Sequence, residues 1–412
     1  MSPTLAMTNL TRDVESQGVA SYQKGVKHLY ESGISKVPDK YILPLQDRPD
    51  NVNVRTNKSG GIIGTGKGEN KNNNNLKLPV IDFAELQSPA KRPQVLKALA
   101  NACEQYGFFQ LVNHGIPSEV INDMIEVSTR FFELPFEERA KYMSSDMKSS
   151  VRYGTSFNQN KDKVFCWRDF LKLLCNPLSD VLAHWPSSPV DFRNLAATYA
   201  KETKYLFLML MEAIVDSLLL ERNVGTTKEH DEKTTEDQGL ENDDNHNNKN
   251  NSNNNIMKKF QDGSQLMVVN CYPPCPQPDL TLGMPSHSDY GFLTLLLQDD
   301  VQGLQIQFQD KWVTVDPIPG SFVVNVGDHL EIFSNGRYNS VLHRVLVNSK
   351  RARISVASLH SLSFDCMVSP WSKLVDEANP RRYKDTDFAS FLEYISSCEP
   401  KRKNFLETRK LT

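Results

Sequence analysis

The sequence predicts an α+β fold, with helices packed around a β core. Apolar residues at helical spacing fill the first half, and short strand-like runs divided by turn residues fill the second. Composition agrees. With 39% hydrophobic and 24% charged residues over 412 positions, the chain has the balance of a globular protein that buries a large core.

Residues 1–77 read as an N-terminal extension and flexible linker, helix-compatible only near Gly25–Ser32. Ser59–Asn75 is rich in glycine and asparagine, as linkers are. Within it, Gly61-Ile62-Ile63-Gly64-Thr65-Gly66-Lys67 has the spacing of a phosphate-binding loop. Gly68 stands where Ser or Thr would bind magnesium, and an asparagine run follows instead of a helix, so no nucleotide site is expected.

Order is expected from Leu78-Pro79-Val80-Ile81-Asp82-Phe83, opening a helical region over 78–222. Val95, Leu96, Leu99 and Ala102 mark an amphipathic helix ending near Tyr106-Gly107. Phe108–Val112 reads as a strand and Asn113-His114-Gly115 as its turn. Val120, Ile121, Met124, Ile125 and Val127 mark a second helix. Phe192, Leu195, Tyr199, Leu206, Leu210, Ala213 and Ile214 mark a long third one. Residues 223–259 collapse into Asn, Asp, Glu, Lys and Thr, which cannot offset the entropy of ordering, and read as a disordered insert. His230 and His246 within it read as solvated spacer residues. In the remaining region, 260–412, strands are expected at Leu266–Val269, Leu293–Leu297, Leu304–Phe308, Trp312–Val315, Ser321–Val326, Val341–Val347 and Ile354–Leu359, the rhythm of a sandwich or barrel. Helix resumes near Asp387–Ile395.

Several classes of function are disfavoured. A formal net charge of −3 gives no cationic footprint for nucleic acid or an anionic membrane. The apolar run Leu206–Met211 is far too short to span a bilayer, and Met1–Met7 lacks the pattern of a secretion signal. Seven scattered cysteines suit a reducing compartment. The expectation is a cytoplasmic monomer whose partner is a small molecule.

His287-Ser288-Asp289 lies between two strand-like runs, and residues i and i+2 of extended chain face one side. A later strand supplies His343. Two imidazoles and one carboxylate leave three positions open on an octahedral ion, which suits iron(II) oxygenases. A lone His-x-Asp is weak, however, and hydrolytic zinc sites use the same ligands. Arg353-Ile354-Ser355 separates these readings. It presents a guanidinium and a hydroxyl on one strand face, and Asn270-Cys271-Tyr272 repeats the spacing. A carboxylate clamp beside iron calls for a diacid that chelates metal at one end. 2-Oxoglutarate has that shape.

The motifs in concert resemble the plant 2-oxoglutarate- and Fe(II)-dependent dioxygenases, such as flavanone 3-hydroxylases and flavonol synthases. They are Leu78–Phe83, Gly107–Gly115, Trp167–Leu171, Asn270–Pro276, His287–Asp289, Asn335–Tyr338 and His343–Ser355. The resemblance runs from about Leu78 to the C-terminus, apart from the insert. It implies a double-stranded β-helix (jelly-roll) core flanked by helices, with iron(II) on His287, Asp289 and His343. It places 2-oxoglutarate on Tyr272, Arg353 and Ser355 with Asn270 at the co-substrate side, adds dioxygen as co-substrate, and makes ascorbate the reductant. The implied substrate is a small plant metabolite, a flavonoid or related phenolic first, hydroxylated or desaturated. Terpenoids, hormones, an oxidase independent of 2-oxoglutarate and an iron-binding sensor stay open.

The chain departs from common family usage at Ser288, His329 and Ser358-Leu359, the last expected near the active-site mouth. His114, His329, Cys271 and Cys275 read as structural. Trp167 and Phe170 suit either core packing or stacking on an aromatic substrate.

Overall fold

The computed structural model describes residues 24–49, 77–157, 162–225, 255–397 and 404–411. The glycine-rich loop at 61–67, His230 and His246 lie outside the described residues. Among the described residues twelve strands form two sheets. The larger runs in the order β1 (Val80–Asp82), β2 (Phe108–Val112), β10 (Phe322–Val326), β7 (Leu293–Gln298), β12 (Arg353–His360), β5 (Gln265–Tyr272), β4 (Asp169–Leu174), β3 (Val151–Thr155). The smaller runs β6 (Met284–His287), β11 (His343–Val345), β8 (Leu304–Phe308), β9 (Lys311–Thr314). Among the described residues the β1–β2 ladder is parallel and the other ladders are antiparallel.

The helices are α1 (Gly25–Glu31), α2 (Arg92–Asn101), α3 (Ser118–Glu133), α4 (Phe192–Gly225), α5 (Asp328–Phe333) and α6 (Phe388–Ser397), with shorter turns between them. Phe192, Ala196, Tyr199, Thr203, Leu206, Phe207, Leu210, Ala213, Ile214 and Ser217 are all buried, the three-and-four spacing of a helix with one face in the core. That face packs α4 against α2, α3 and β12. α2 runs on into a wider turn at Ala102–Tyr106, and Gly107, at φ +62°, ends it where the sequence placed the helix end.

Four expectations change. β3 and β4 fall in the stretch read as helical, because both faces of these strands are covered and their sequences hardly alternate. The strand expected at Val341–Val347 shrinks to His343–Val345, where the pairing with β6 shifts register. The insert's ends are ordered: α4 runs to Gly225, and a short helix over residues 255–261 buries Phe260 in the core. Its middle, residues 226–254, lies outside the described residues. Ser358 is not at the site mouth. Along β12, Arg353, Ser355, Ala357 and Leu359 share one face, while Ser358 and His360 point to α4, where Ser358 Oγ meets Gln265 Nε2 at 3.1 Å.

Residues 24–49 are docked on the sheet. Asp169 is fully buried at the start of β4, and its carboxylate accepts from the amides of Val26 at 2.9 Å and Lys27 at 3.0 Å. Tyr153 donates to it at 3.3 Å. Burial pushes this carboxyl above the usual range, against the pull of those two amides. Beside it Val26, Val37, Tyr41, Phe165, Trp167 and Cys275 form a satellite core, and Trp167 Nε1 donates to the Pro273 carbonyl at 3.0 Å. Trp167 is thus a core residue. The approach of α1 depends on Gly25, at φ +85°, where an added Cβ would stand 2.4 Å from Asp169 Oδ1.

Gly25→Ala should therefore destabilise the protein by about 1–3 kcal/mol, the cost of a strained backbone position, and loosen α1. Thermal unfolding with limited proteolysis checks this. An unchanged midpoint and unchanged cleavage near residue 31 would contradict the docking role.

Candidate metal and co-substrate site

His287 is the last residue of β6, and β11 places His343 directly opposite it. Their ring centroids are 4.1 Å apart. Asp289 lies beyond β6, in the turn leading to β7, so it shares no strand with His287. Its Oδ1 is 3.7 Å from each Nε2, and one ligand atom from each residue lies within 4.8 Å of the other two. Each imidazole is aimed by its other nitrogen. His287 Nδ1 donates to the Pro285 carbonyl at 2.8 Å and His343 Nδ1 to the Val341 carbonyl at 3.3 Å, because a carbonyl can only accept. Both Nε2 lone pairs are left for a metal.

Asp289 is held from the other sheet. Thr294 Oγ1 donates to its Oδ2 at 2.6 Å and Asn325 Nδ2 at 2.9 Å, and these two residues face each other across β7 and β10. One carboxylate oxygen is engaged by the sheet and the other turned to the imidazoles. Burial raises the Asp289 carboxyl, but the two imidazoles and the two donors outweigh it and hold it below its usual range. Burial, then His343 and, from further off, Arg168 push His287 down to about 4. At pH 7 its ring is neutral, so metal binding expels no proton from it. Two neutral nitrogens and one carboxylate oxygen, converging in a mostly dry site, fit iron(II).

The remaining expected residues sit on one face of the large sheet. Arg353 pairs with Tyr272 and Ser355 with Asn270 in the β12–β5 register, which brings all four together. Arg353 is 2% exposed. Its Nη1 donates to Ser355 Oγ at 3.2 Å, its Nη2 to Gln298 Oε1 at 2.8 Å and its Nε to the Val301 carbonyl at 3.2 Å. The guanidinium lies 5.2 Å from the centre of the Tyr272 ring. Asp299, whose charge reaches Arg353, is tied instead to the amides of Ile354 at 2.6 Å and Val301 at 3.0 Å. Asn270 Oδ1 accepts from Arg168 Nη1 at 3.1 Å.

Comparison with known proteins agrees with this geometry. Residues 263–361 match the 2OG-Fe(II) oxygenase superfamily, and residues 78–190 match the N-terminal region named for a non-haem dioxygenase in morphine synthesis. DMR6-LIKE OXYGENASE 2 of Arabidopsis thaliana is 38% identical over 88% of this chain and 90% of its own. The chain belongs to the plant 2OG-Fe(II) oxygenase family. Flavanone 3-dioxygenase 3 of Oryza sativa subsp. japonica is also 38% identical, over 81% of this chain and 93% of its own. The crystal structure of JOX2 in complex with 2OG, Fe and JA matches 94% of this chain and 98% of its own, with a TM-score of 0.74 and 29% identity. The protein is a 2-oxoglutarate- and iron(II)-dependent dioxygenase, and the His287, Asp289 and His343 triad is its metal site.

Within this oxygenase His329 and His114 stand apart from the triad. His329 is buried in α5 and hydrogen-bonds Ser361 Oγ at 2.8 Å; His114 Nε2 bonds the Gly320 carbonyl at 2.8 Å. Cys271 and Cys275 are buried free thiols. Among the described residues no helix is long and apolar enough to cross a membrane.

Sequence reasoning missed Thr294, Asn325 and Gln298. Thr294 and Gln298 are the two polar residues of the apolar strand Leu293–Gln298, and Asn325 is the one in Phe322–Val326. A buried polar side chain there needs a partner, and that was the available signal.

Replacing any one of His287, Asp289 or His343 with alanine should abolish metal binding, measured by calorimetric titration with iron(II) or cobalt(II). Thr294→Val with Asn325→Leu should weaken it by about 10–100-fold while the fold persists, as loss of a ligand's outer hydrogen bonds does elsewhere. Wild-type affinity in the double variant would contradict the positioning role.

Proposed function

We propose that this dioxygenase oxidises a small phenolic metabolite, a flavonoid first, with the co-substrate held by Arg353, Ser355 and Tyr272. The observation that carries the co-substrate assignment is Arg353 itself, a buried guanidinium with neutral partners, beside the triad. Guanidinium forks bind carboxylates in a bidentate manner, so Arg353 offers the C5 carboxylate of 2-oxoglutarate its missing counter-charge. Gln298 and the Val301 carbonyl hold the fork in place before the ligand arrives. Ser355 and Tyr272 add hydroxyls on the same face, and Asn270 stands one pair further along the ladder. Iron(II), when bound with 2-oxoglutarate and dioxygen, supplies the oxidative decarboxylation that drives substrate oxidation. The protein's part is to fix ligand geometry and keep the site dry.

Support for a phenolic substrate comes from the similarity to a flavanone 3-dioxygenase over most of both chains. Phe170 adds a buried aromatic ring on the same sheet face, paired with Asn270. The jelly-roll core implied by the motifs is supported by the match to JOX2 across nearly the whole chain. Five of the six described cysteines are buried and all six are free, which supports a reducing compartment such as the cytosol.

Purified protein given iron(II), ascorbate, 2-oxoglutarate and a flavanone should form succinate and oxidised flavanone in equal amounts. Oxidation that proceeds without 2-oxoglutarate would contradict the clamp, and succinate formation indifferent to every phenolic would contradict the substrate class. Arg353→Leu should weaken 2-oxoglutarate binding by about 2–5 kcal/mol, the penalty for leaving one charge of a buried pair alone, and leave iron affinity nearly unchanged. The reverse pattern would show that Arg353 serves the metal.

A further inference from the structure

Arg353 has a counterpart. Arg168 is 4% exposed and lies just before β4, on the site side of the sheet. Its Nη1 donates to Asn270 Oδ1 and its Nη2 to the Ser156 carbonyl at 2.7 Å, while its buried Nε has no acceptor. Among the described residues it makes no ion pair. The adjacent Asp169 points the other way, into the amides of α1. Asp162 is held by Ser156 Oγ at 2.7 Å and by the Phe157 amide at 3.0 Å.

The guanidinium lies 5.0 Å from the centre of the Phe170 ring, and that of Arg152 lies 5.1 Å from the same ring. Lys172, two residues along the same face of β4, donates to the Met147 carbonyl at 2.8 Å. Its ammonium is pushed down to about 8 by burial and then by Arg152, with Asp146 pulling the other way. This end of the site is therefore positive, apolar at Phe170, and close enough to the metal ligands for the charge of Arg168 to reach His287.

Burying a cation is costly unless an opposite charge accompanies it. At Arg353 the co-substrate supplies that charge. We infer that Arg168 receives a carboxylate of the second substrate, the molecule that is oxidised, so that this dioxygenase acts on a small organic acid. The inference rests on the dioxygenase reading and moves its phenolic substrate from a flavonoid, which has no carboxylate, to a phenolic acid, with the apolar body against Phe170.

The test uses full-length protein loaded with manganese(II) and 2-oxoglutarate, which blocks turnover and fills the Arg353 clamp. Benzoate, cinnamate and hexanoate are titrated against benzamide, cinnamamide and hexanamide by calorimetry. At least one carboxylate should bind about tenfold or more tightly than its amide, the scale of a charged hydrogen bond, and Arg168→Gln should reduce that preference to about twofold or less. Arg168→Lys, which keeps the charge but not the fork, should retain part of it. Both variants should still saturate with 2-oxoglutarate, followed by the visible charge-transfer band of its iron(II) chelate, which also shows that they fold. No carboxylate preferred over its amide in the wild type would overturn the inference, as would a preference that survives in Arg168→Gln. Loss of 2-oxoglutarate saturation with the acid preference intact would assign Arg168 to the co-substrate instead. Absence of the charge-transfer band in the wild type is a different failure, that of the dioxygenase reading.

Discussion

The site is organised by the two oxygens of Asp289, which join two sheets that share no ladder. Oδ2 is fastened to Thr294 and Asn325 of the large sheet, and Oδ1 faces His287 and His343 of the small one. A carboxylate free to rotate would offer a metal either oxygen, or both. Here the direction is fixed by two donors on paired strands, so one oxygen is presented and the metal keeps open positions. The imidazoles are fixed from behind in the same way, by carbonyls two residues upstream.

Strand register carries this organisation to the rest of the site. Arg353 lies opposite Tyr272, Ser355 opposite both Asn270 and Gln298, and Leu359 opposite Thr294, which itself lies opposite Asn325. Directly paired residues point to the same side of a sheet, so one face holds Arg353, Ser355 and Tyr272, the support for Asp289, and Phe170. A slip of one residue in β12 would send Arg353 toward the helices and bring Ser358 and His360 into the site. The opposite face explains why such a slip is resisted. There His360 stacks on Phe207 at 4.5 Å and Ser358 joins a buried network with Gln265 and Thr203.

The metal ligands His287, Asp289 and His343 were legible in the sequence because their spacing is chemical, and the grouping of Arg353 and Ser355 with Asn270 and Tyr272 was legible because each pair is two residues apart on a strand. Most strands of the second half were legible because turn residues bound them, but β6, Met284–His287, was not expected as a strand. What escaped depends on pairing between distant segments. β3 and β4 carry no clean alternation, since helices and sheet cover both faces. Thr294 and Asn325 acquire meaning only when β7 meets β10. Ser358 was misplaced because position along the chain says nothing about which face a strand residue takes until its register is known. Asp169 looked like part of a motif, and its work is to receive α1 from 142 residues away.

The most direct test is anomalous diffraction from crystals grown with manganese(II) and 2-oxoglutarate. The account predicts one strong peak bound by His287 Nε2, Asp289 Oδ1 and His343 Nε2, with Asp289 Oδ2 still on Thr294 and Asn325. It also predicts the C5 carboxylate of 2-oxoglutarate paired with Arg353. A peak elsewhere, a metal bound by both oxygens of Asp289, or a co-substrate whose far carboxylate avoids Arg353 would contradict it.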